Sequence, residues 1–188
     1  DGTVRLWDVT DEGDGAYEAL RKLTGHTAAV NDFSFSQNGR IVSVSNDRTI
    51  RMWDVLAHSR ERTTVFQAAA AGGLDWVALS PNGGLVATVE AERRVIKLWE
   101  ITDDGFAGGE PLRTLEGPGL AGGALCVSFS GDDRFMATIA EDARKICVWS
   151  AVGNVDEDAP NELPARYHRV LSLAFAPTDP LALVSTSH

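Results

Sequence analysis

The sequence predicts an all-β chain built from copies of one four-stranded unit. Trp7, Trp53, Trp99 and Trp149 follow one another at intervals of 46, 46 and 50 residues, and each ends a short alternating run (VRLW, IRMW, IKLW and ICVW). A fixed period of this size indicates one supersecondary unit copied several times. Within each period, runs that alternate between apolar and polar residues are separated by Gly, Asn and Asp turns, which is the pattern of short strands. No segment has a convincing amphipathic helical pattern.

The first complete unit shows the order of its strands. Its runs are VNDFSFS at 30–36, IVSVS at 41–45 and TIRMW at 49–53, and a fourth strand, TTVFQ, follows a polar stretch. The second unit repeats these runs as LDWVALS, LVATV, VIKLW and PLRTL, and the third begins with ALCVSFS, FMATI and KICVW. One such sheet cannot bury both of its faces alone, so neighbouring copies are expected to stack. We label the strands of each unit a to d in chain order.

Several short motifs at fixed positions resemble those of the WD-repeat (tryptophan-aspartate repeat) family. The motifs are Gly25-His26 ahead of strand a, the segment from Ser43 to Asp47, Trp53-Asp54, and DGTVRLWD at 1–8. The resemblance covers the entire chain and implies a β-propeller, in which four-stranded antiparallel sheets pack radially as blades. The predicted fold is therefore an all-β WD-repeat propeller, present as a partial arc of about four blade equivalents.

We expect a single propeller segment over residues 1–188. Strands c and d of a first blade take residues 1–24, three blades take 25–69, 70–117 and 118–167, and strands a and b of a truncated blade take 168–188. The rest of the propeller would lie outside this sequence, which leaves an open arc. The alternative is that the two partial blades join and close a four-bladed ring. A short distance between Val4 or Leu6 and Ala182 or Val184 would indicate closure.

Composition restricts the partners and the location. The chain of 188 residues is 44% hydrophobic, as soluble globular proteins are, and its net charge of −10 argues against broad attraction to nucleic acid. No apolar run approaches the roughly 20 residues of a membrane-spanning helix. Cys126 and Cys147 lie in apolar strand patterns without the spacing of metal ligands. We therefore expect a cytoplasmic protein, with the nucleus also open, that has reduced thiols, no metal and no cofactor.

Four residues of the first complete unit fall where the resembled family builds a structural hydrogen-bond tetrad. They are His26, Ser43, Asp47 and Trp53. In the family the histidine links the serine hydroxyl to the indole N–H, and the aspartate accepts from the other side of the histidine. Buried polar groups need such partners, because each one left unpaired costs roughly 1–3 kcal/mol. A Ser-His-Asp set also suggests a catalytic triad, but the sequence has no nucleophile elbow, and a triad leaves the tryptophan unexplained.

The next two units depart from this pattern. Paired glycines replace the Gly-His dipeptide, and each turn before the Trp strand is one residue longer. We expect Thr88 with Glu92, and Thr138 with Asp142, to keep a reduced network. These blades should then depend more on apolar packing between sheets.

Strand a of the second complete unit contains a further tryptophan. Trp76 stands where the first unit has Asp32. We expect so large an aromatic side chain to pack between sheets. Contact with a ligand is the alternative interpretation.

Basic residues gather in the loops that the family topology places on one face, here called the top. This face holds the b-to-c and d-to-a connections, whereas the c-to-d connections of the opposite, bottom face are mostly acidic. The plain interpretation is solvated loops. The sharper hypothesis is a rim that binds a protein or peptide with acidic or phosphorylated groups, because arginine forks pair with carboxylates and phosphates. The candidate rim residues are Arg48, Arg93, Arg94, Arg144, Arg166, His168 and Arg169.

The resemblance implies a non-catalytic scaffold that binds proteins or peptides through the loops of one face. The sequence contains no H-E-x-x-H, C-x-x-C or phosphate-loop motif that would favour an enzyme. Two alternatives remain. The chain could be the sensor or regulatory region of a larger signalling ATPase or protease, or a propeller enzyme or small-ligand binder with polar groups in its central channel.

Overall fold

The computed structural model describes residues 1–7, 19–55, 62–67, 72–90, 95–103, 105–115, 124–140, 144–152, 160–164, 170–176 and 182–187. All regular structure in these ranges is β-strand. Within them there is no helix long and apolar enough to cross a membrane. The predicted all-β fold is confirmed.

Seventeen strands follow one another along the described chain, and every hydrogen-bonded pair is antiparallel. The strands are β1 (Thr3–Trp7), β2 (Ala19–Thr24), β3 (Val30–Phe35), β4 (Arg40–Ser45), β5 (Thr49–Asp54), β6 (Arg62–Gln67), β7 (Leu74–Leu79), β8 (Leu85–Glu90), β9 (Ile96–Thr102), β10 (Gly105–Phe106), β11 (Arg113–Leu115), β12 (Ala124–Phe129), β13 (Phe135–Ala140), β14 (Lys145–Ser150), β15 (Asn161–Pro164), β16 (Val170–Phe175) and β17 (Leu183–Ser187).

The strands form five sheets in chain order. Blade 1 is the sheet β3–β4–β5–β6, blade 2 is β7–β8–β9 with β10 and β11 both paired to β9, and blade 3 is β12–β13–β14–β15. The N-terminal sheet contains β1 and β2, and the C-terminal sheet contains β16 and β17. Among the described strands, β1 is hydrogen-bonded to β2 alone, so the two outer sheets do not combine into a composite blade. The sheets follow one another as an open arc.

A serine at the end of strand a closes the turn into strand b in each complete blade. Its side-chain oxygen accepts from the backbone N–H that opens the next strand, and each of the three serines is at most 2% exposed. These bonds hold the a–b hairpins rigid. The pairs are Ser36 with Arg40 at 3.1 Å, Ser80 with Leu85 at 3.0 Å, and Ser130 with Phe135 at 2.9 Å.

The hydrophobic core lies between consecutive sheets, and a tryptophan takes part in three of its four clusters. Each buried tryptophan packs against the preceding sheet and removes roughly 150–250 Å² from water, worth on the order of 4–6 kcal/mol. Trp7 of the N-terminal sheet is instead 46% exposed. The clusters place Trp53 with Val4 and Leu23, Trp99 with Val42 and Val44, and Trp149 with Ala87 and Val89.

Blade 2 contains a short hairpin within a connection that was predicted to be an acidic loop. Gly105 pairs with Thr102 and Phe106 pairs with Ile101, so β10 folds back on the end of β9. The Phe106 ring then lies 6.4 Å from that of Trp99, centroid to centroid. The hairpin therefore extends the core between blades 1 and 2.

Candidate functional site

The structure brings together the four residues of the expected tetrad in blade 1. His26 lies just before β3, with its Nε2 atom 2.8 Å from Ser43 Oγ and its Nδ1 atom 2.9 Å from Asp47 Oδ2. The indole N–H of Trp53 donates to Ser43 Oγ at 3.0 Å. The serine oxygen, rather than the histidine, thus accepts the indole proton, and the bonds run as a chain from tryptophan to aspartate.

Asp47 is held by several donors at the turn between β4 and β5. The Thr27 N–H donates to Oδ2 at 2.9 Å, and the Thr49 N–H and hydroxyl donate to Oδ1 at 2.9 and 2.6 Å. Burial alone raises the pKa of Asp47, but the hydrogen bonds from Thr49, Thr27 and His26 outweigh it and hold the pKa well below its usual range. The carboxylate therefore stays ionised and accepts from the histidine.

This carboxylate fixes the state of the His26 ring. Burial lowers the pKa of His26, and the charge of Arg51 lowers it further. The hydrogen bond to Asp47 and the charge of Asp47 act in the opposite direction, but the pKa stays below its usual value. At neutral pH the ring is neutral, with Nδ1 protonated because its partner oxygen can only accept. Nε2 then accepts from the Ser43 hydroxyl.

The same order of bonds occurs in a catalytic triad, but the surroundings of Ser43 oppose that role. Ser43 is fully buried, and its oxygen already accepts from the Trp53 indole. A nucleophile must present this oxygen to a substrate carbonyl. The geometry fits a network that satisfies buried polar groups in the core.

Blades 2 and 3 satisfy their tryptophans with threonine. Trp99 donates to Thr88 Oγ1 at 2.9 Å and Trp149 donates to Thr138 Oγ1 at 3.0 Å, and both threonines are fully buried. The proposed second members, Glu92 and Asp142, lie outside the described residues.

Blade 2 also contains a buried ion pair that was not predicted from the sequence. Lys97 Nζ on β9 contacts Glu90 Oε1 at the end of β8, and the Glu90 side chain is 1% exposed. The signal was available, because opposite charges flank the turn between two alternating runs.

Side chains of one strand a bind the backbone of the next strand a. Asp32 Oδ2 accepts from the Val77 N–H and Ser34 Oγ accepts from the Leu79 N–H, both at 2.9 Å. Burial raises the pKa of Asp32, against the effect of the Val77 N–H. These bonds join β3 to β7.

The seam between β12 and β16 has a similar pair of contacts. Ser128 Oγ accepts from the Phe175 N–H at 3.4 Å, and the Cys126 thiol donates to the Leu173 carbonyl at 3.8 Å. Burial raises the pKa of the Cys126 thiol, so the thiol keeps its proton.

Trp76 in β7 was expected to pack between two sheets. Its side chain is instead 42% exposed, which does not fit an enclosed position.

Two of the seven candidate rim residues, Arg48 and Arg144, are described, and both are exposed. Arg48 lies in the turn between β4 and β5 with φ of 65°, and its carbonyl accepts from Gln67 Nε2 at 3.3 Å. Arg144 directly precedes β14. The other five lie outside the described residues: Arg93, Arg94, Arg166, His168 and Arg169.

Some acidic residues assigned to the bottom loops have basic partners. Asp103, which is 97% exposed, accepts from Arg40 Nη2 at 2.8 Å. Glu162 lies within β15 rather than in the preceding loop, and it accepts from Lys145 Nζ at 2.7 Å. Across the described ranges, no group of three or more His, Cys, Asp or Glu residues is placed to hold a metal ion.

Comparisons with known proteins agree with this architecture. The family model of the WD domain, G-beta repeat, matches residues 17–54 and 109–150. Pre-mRNA-processing factor 19 homolog 2 of Arabidopsis thaliana is 24% identical over 163 residues, which cover 85% of this chain and 28% of that protein. U3 small nucleolar RNA-associated protein 15 homolog of Xenopus tropicalis is 25% identical over 230 residues, which cover 100% of this chain and 41% of that protein.

A human relative, WD repeat and SOCS box-containing protein 1, is 30% identical over 105 residues, which cover 53% of this chain and 22% of that protein. The chain thus spans less than half the length of these three relatives. The two matches to the repeat agree with the order of the antiparallel strands and with the spacing of the tryptophans. Residues 17–54 and 109–150 thus match WD repeats, and the antiparallel sheets have the architecture of a partial WD-repeat β-propeller.

Proposed function

We propose that this chain is a non-catalytic scaffold that binds proteins or peptides through the loops on the top of its blades. The polar groups that look most like a catalytic set are buried and bonded to one another, as the Ser43 and His26 contacts illustrate. The exposed loops are therefore the part of the chain that can bind a partner, and the sheets hold these loops in position.

The conformation of Arg48 is the observation that carries this proposal. Its φ of 65° is a left-handed conformation that costs a residue other than glycine about 1 kcal/mol or more. Glycine would relieve this cost in an exposed turn, yet the position holds a long cation. Such strain supports a role for the Arg48 side chain in binding.

Arginine defines the chemistry of the proposed partner. A guanidinium presents planar pairs of donors that match carboxylate and phosphate groups. We therefore assign to the rim a protein or peptide with acidic or phosphorylated groups. The net charge of −10 opposes RNA or DNA as the main ligand.

We further propose that the protein works inside the cell, with the nucleus included. The expected cytoplasmic location has no support from the relatives, two of which are named for pre-mRNA processing and for a small nucleolar RNA. Imaging of the tagged full-length protein tests this point. Exclusion from the nucleus would contradict it.

Affinity capture with the full-length protein tests the proposed rim. The variant combines Arg93→Glu, Arg94→Glu and Arg166→Glu, and captured proteins are identified by mass spectrometry. Lys22→Glu, at an exposed position of β2, controls for added negative charge. We expect the triple variant to lose partners that the control retains, with both proteins folded. Unchanged capture by the triple variant would contradict the proposal.

A further inference from the structure

The N-terminal and C-terminal sheets correspond to the two halves of one blade. β1 and β2 take the places of strands c and d, because β1 ends in Trp7 as each strand c ends in its tryptophan. β16 and β17 take the places of strands a and b, since Leu173 faces Ser185 as Phe33 faces Ser43. β1 is hydrogen-bonded to β2 alone and β17 to β16 alone. Each half therefore ends in an edge with which no other described strand pairs.

A hydrogen bond joins strands b and c within each complete blade. The indole N–H of the strand-c tryptophan donates to a hydroxyl on strand b, two residues from the ladder partner of the tryptophan. All three acceptors are fully buried. Each complete blade thus pairs one indole with one hydroxyl between its own strands. The pairs are Trp53 with Ser43, Trp99 with Thr88 and Trp149 with Thr138.

The two outer sheets hold the members of such a pair separately. Trp7 takes the indole position on β1, and its side chain is 46% exposed. Ser185 takes the hydroxyl position on β17, by its ladder register, and is exposed as well. Among the residues that the structure describes, neither the Trp7 indole nor the Ser185 hydroxyl has a hydrogen-bond partner. Each sheet therefore carries the group that the other lacks.

The face of blade 1 that looks toward β1 is apolar and open. Phe33 is 59% exposed and Phe35 is 52% exposed, whereas their equivalents in blade 2, Val77 and Leu79, are each 6% exposed. The difference arises because β3 lies against β7, while the N-terminal sheet has no strand a to lie against β3. A cavity of about 570 Å³, with both polar and apolar residues in its lining, separates β1 from β3.

The C-terminal sheet carries an acceptor that suits this open face. By ladder register, Ser172 on β16 takes the place that Asp32 has on β3. Asp32 accepts from the N–H of Val77 in the following blade, and the position of Val77 is that of Phe33 in blade 1. Ser172 is exposed. Its hydroxyl could therefore accept from the Phe33 N–H of a blade placed after it.

Blade 3 presents an apolar side chain at the position that contacts the next tryptophan. In blade 1 this position is Phe66 on strand d, whose ring lies 4.8 Å from that of Trp99, centroid to centroid. Leu163 on β15 is the equivalent residue by ladder register, and it is 46% exposed. The surface beside Leu163 thus suits the tryptophan of a following strand c, which is the position of Trp7.

We propose that two copies of the chain join head to tail, with β17 of each copy pairing with β1 of the other. Each joint forms a composite blade, β16–β17–β1–β2, in the a-to-d order of the complete blades. Trp7 of one copy donates to Ser185 of the other and packs against its Leu163. Ser172 lies beside the Phe33 N–H in the same way that Asp32 meets the next blade.

The number of blades favours a dimer. Each copy has three complete blades and two halves, or about four blade equivalents, so two copies give about eight, and closed propellers typically have 4–8. The ring would leave neither sheet edge free. The exposed halves of three aromatic side chains, at roughly 150–250 Å² for a whole one, supply about a quarter to a half of the roughly 800 Å² that each partner of a stable interface buries.

Sedimentation of the full-length protein over a concentration series gives the first test. We expect a dimer, and we expect Ser185→Val to raise its dissociation constant at least roughly tenfold, because the Trp7 indole loses its acceptor. Ser185→Thr is the matched control, since it keeps a hydroxyl, as Thr88 and Thr138 do in their blades. A monomeric wild type, or equal dissociation constants for the two variants, would overturn the proposal.

A disulfide between two differently tagged, coexpressed chains locates the joint. One chain carries Arg5→Cys and the other Ser185→Cys, positions that would face each other as Arg51 and Ser43 do in blade 1. Their Cα atoms would then lie within the roughly 4.4–6.8 Å of a disulfide. Lys22→Cys replaces Arg5→Cys in the control, because Lys22 faces Arg5 from the strand farther from the joint.

Oxidation should link the two tags in the first pair of chains and not in the control pair. A disulfide within one copy cannot join two tags, so the link reports a second copy of the chain. The absence of linked tags in the first pair, or equal linkage in the control pair, would overturn the proposal.

Discussion

The indole N–H of Trp99 donates to the hydroxyl oxygen of Thr88 at 2.9 Å, and both side chains are buried within blade 2. In blade 1 the equivalent indole N–H, of Trp53, donates to the hydroxyl oxygen of Ser43, and this hydroxyl is also hydrogen-bonded to His26. The requirement common to both blades is an acceptor for the indole. A histidine and an aspartate extend this network in blade 1 and tie the start of β3 to the turn after β4.

Thr88→Val should destabilise the protein. Valine has nearly the shape of threonine but offers no acceptor, so the Trp99 N–H would be left buried without a partner. We expect a loss of about 1–3 kcal/mol in the free energy of unfolding, measured by urea denaturation. Thr88→Ser keeps the hydroxyl and should lose less. A loss for Thr88→Val no larger than that for Thr88→Ser would contradict this role of the hydrogen bond, because valine lacks only the acceptor whereas serine lacks only the methyl group.

His26→Ala should destabilise the protein without removing a chemical activity. The variant leaves the hydroxyl of Ser43 and one oxygen of Asp47 without the imidazole, at a cost of about 1–3 kcal/mol. Thermal unfolding measures the loss as a lower Tm. A hydrolytic activity that disappears in the variant while Tm stays unchanged would refute this structural role.

The stabilising effect of His26 should depend on pH. The pKa of His26 is lower in the folded protein than its usual value of 6.5, so the unfolded chain binds more protons as the pH falls. Its contribution is fully present above that value and is lost as the pH falls through the folded pKa. Asp47, whose pKa is lowered from 3.8, follows only in more acid solution.

Urea denaturation of the wild type and His26→Ala over a pH series checks this prediction. The difference in stability between the two proteins should shrink between about pH 7.5 and about pH 5, because only the wild type has the titrating ring. A difference that stays constant or grows over this range would contradict the assignment of a neutral His26.

The ion pair between Arg40 and Asp103 should contribute little to the free energy of unfolding. Asp103 is 97% exposed, and pairs of this kind contribute about 0–1 kcal/mol. We therefore expect Asp103→Asn to change the free energy of unfolding by less than about 0.5 kcal/mol. Arg40→Met should cost more, because Arg40 also donates to the Gly83 carbonyl at 3.3 Å. Equal losses for the two variants would show that the ion pair, rather than the bond to Gly83, accounts for the contribution of Arg40.

The repeating parts of the structure could be predicted from the sequence. Alternating runs and the turns QNG and NDR between them predicted β3 to β5, and the tryptophan period located their equivalents in blades 2 and 3. The four residues of the blade 1 network lie together as the family resemblance implied, although the Trp53 indole donates to Ser43 rather than to His26. The strands themselves depend on local pattern, which the sequence contains.

Departures from the repeat were harder to predict. The sequence ITDDGF contains an Asp-Gly turn signal before Phe106, but its acidic character concealed the short hairpin of β10. The contact of Lys97 with Glu90 depends on which faces of two strands turn inward. Trp76 is 42% exposed although it lies in strand a, where tight packing was expected. Such features arise from packing between strands and cannot be read from one strand alone.

Partner binding by the single variant Arg48→Asn tests the central claim most directly. Asparagine tolerates the left-handed conformation, so the turn should survive while the cation is removed. The dissociation constant for one captured partner is measured by calorimetry, with Arg48→Lys retaining the charge. We predict that Arg48→Asn weakens binding at least roughly tenfold, that Arg48→Lys weakens it less, and that both variants keep the wild-type Tm. Equal affinity of the wild type and Arg48→Asn would contradict the account of the top rim as the binding surface.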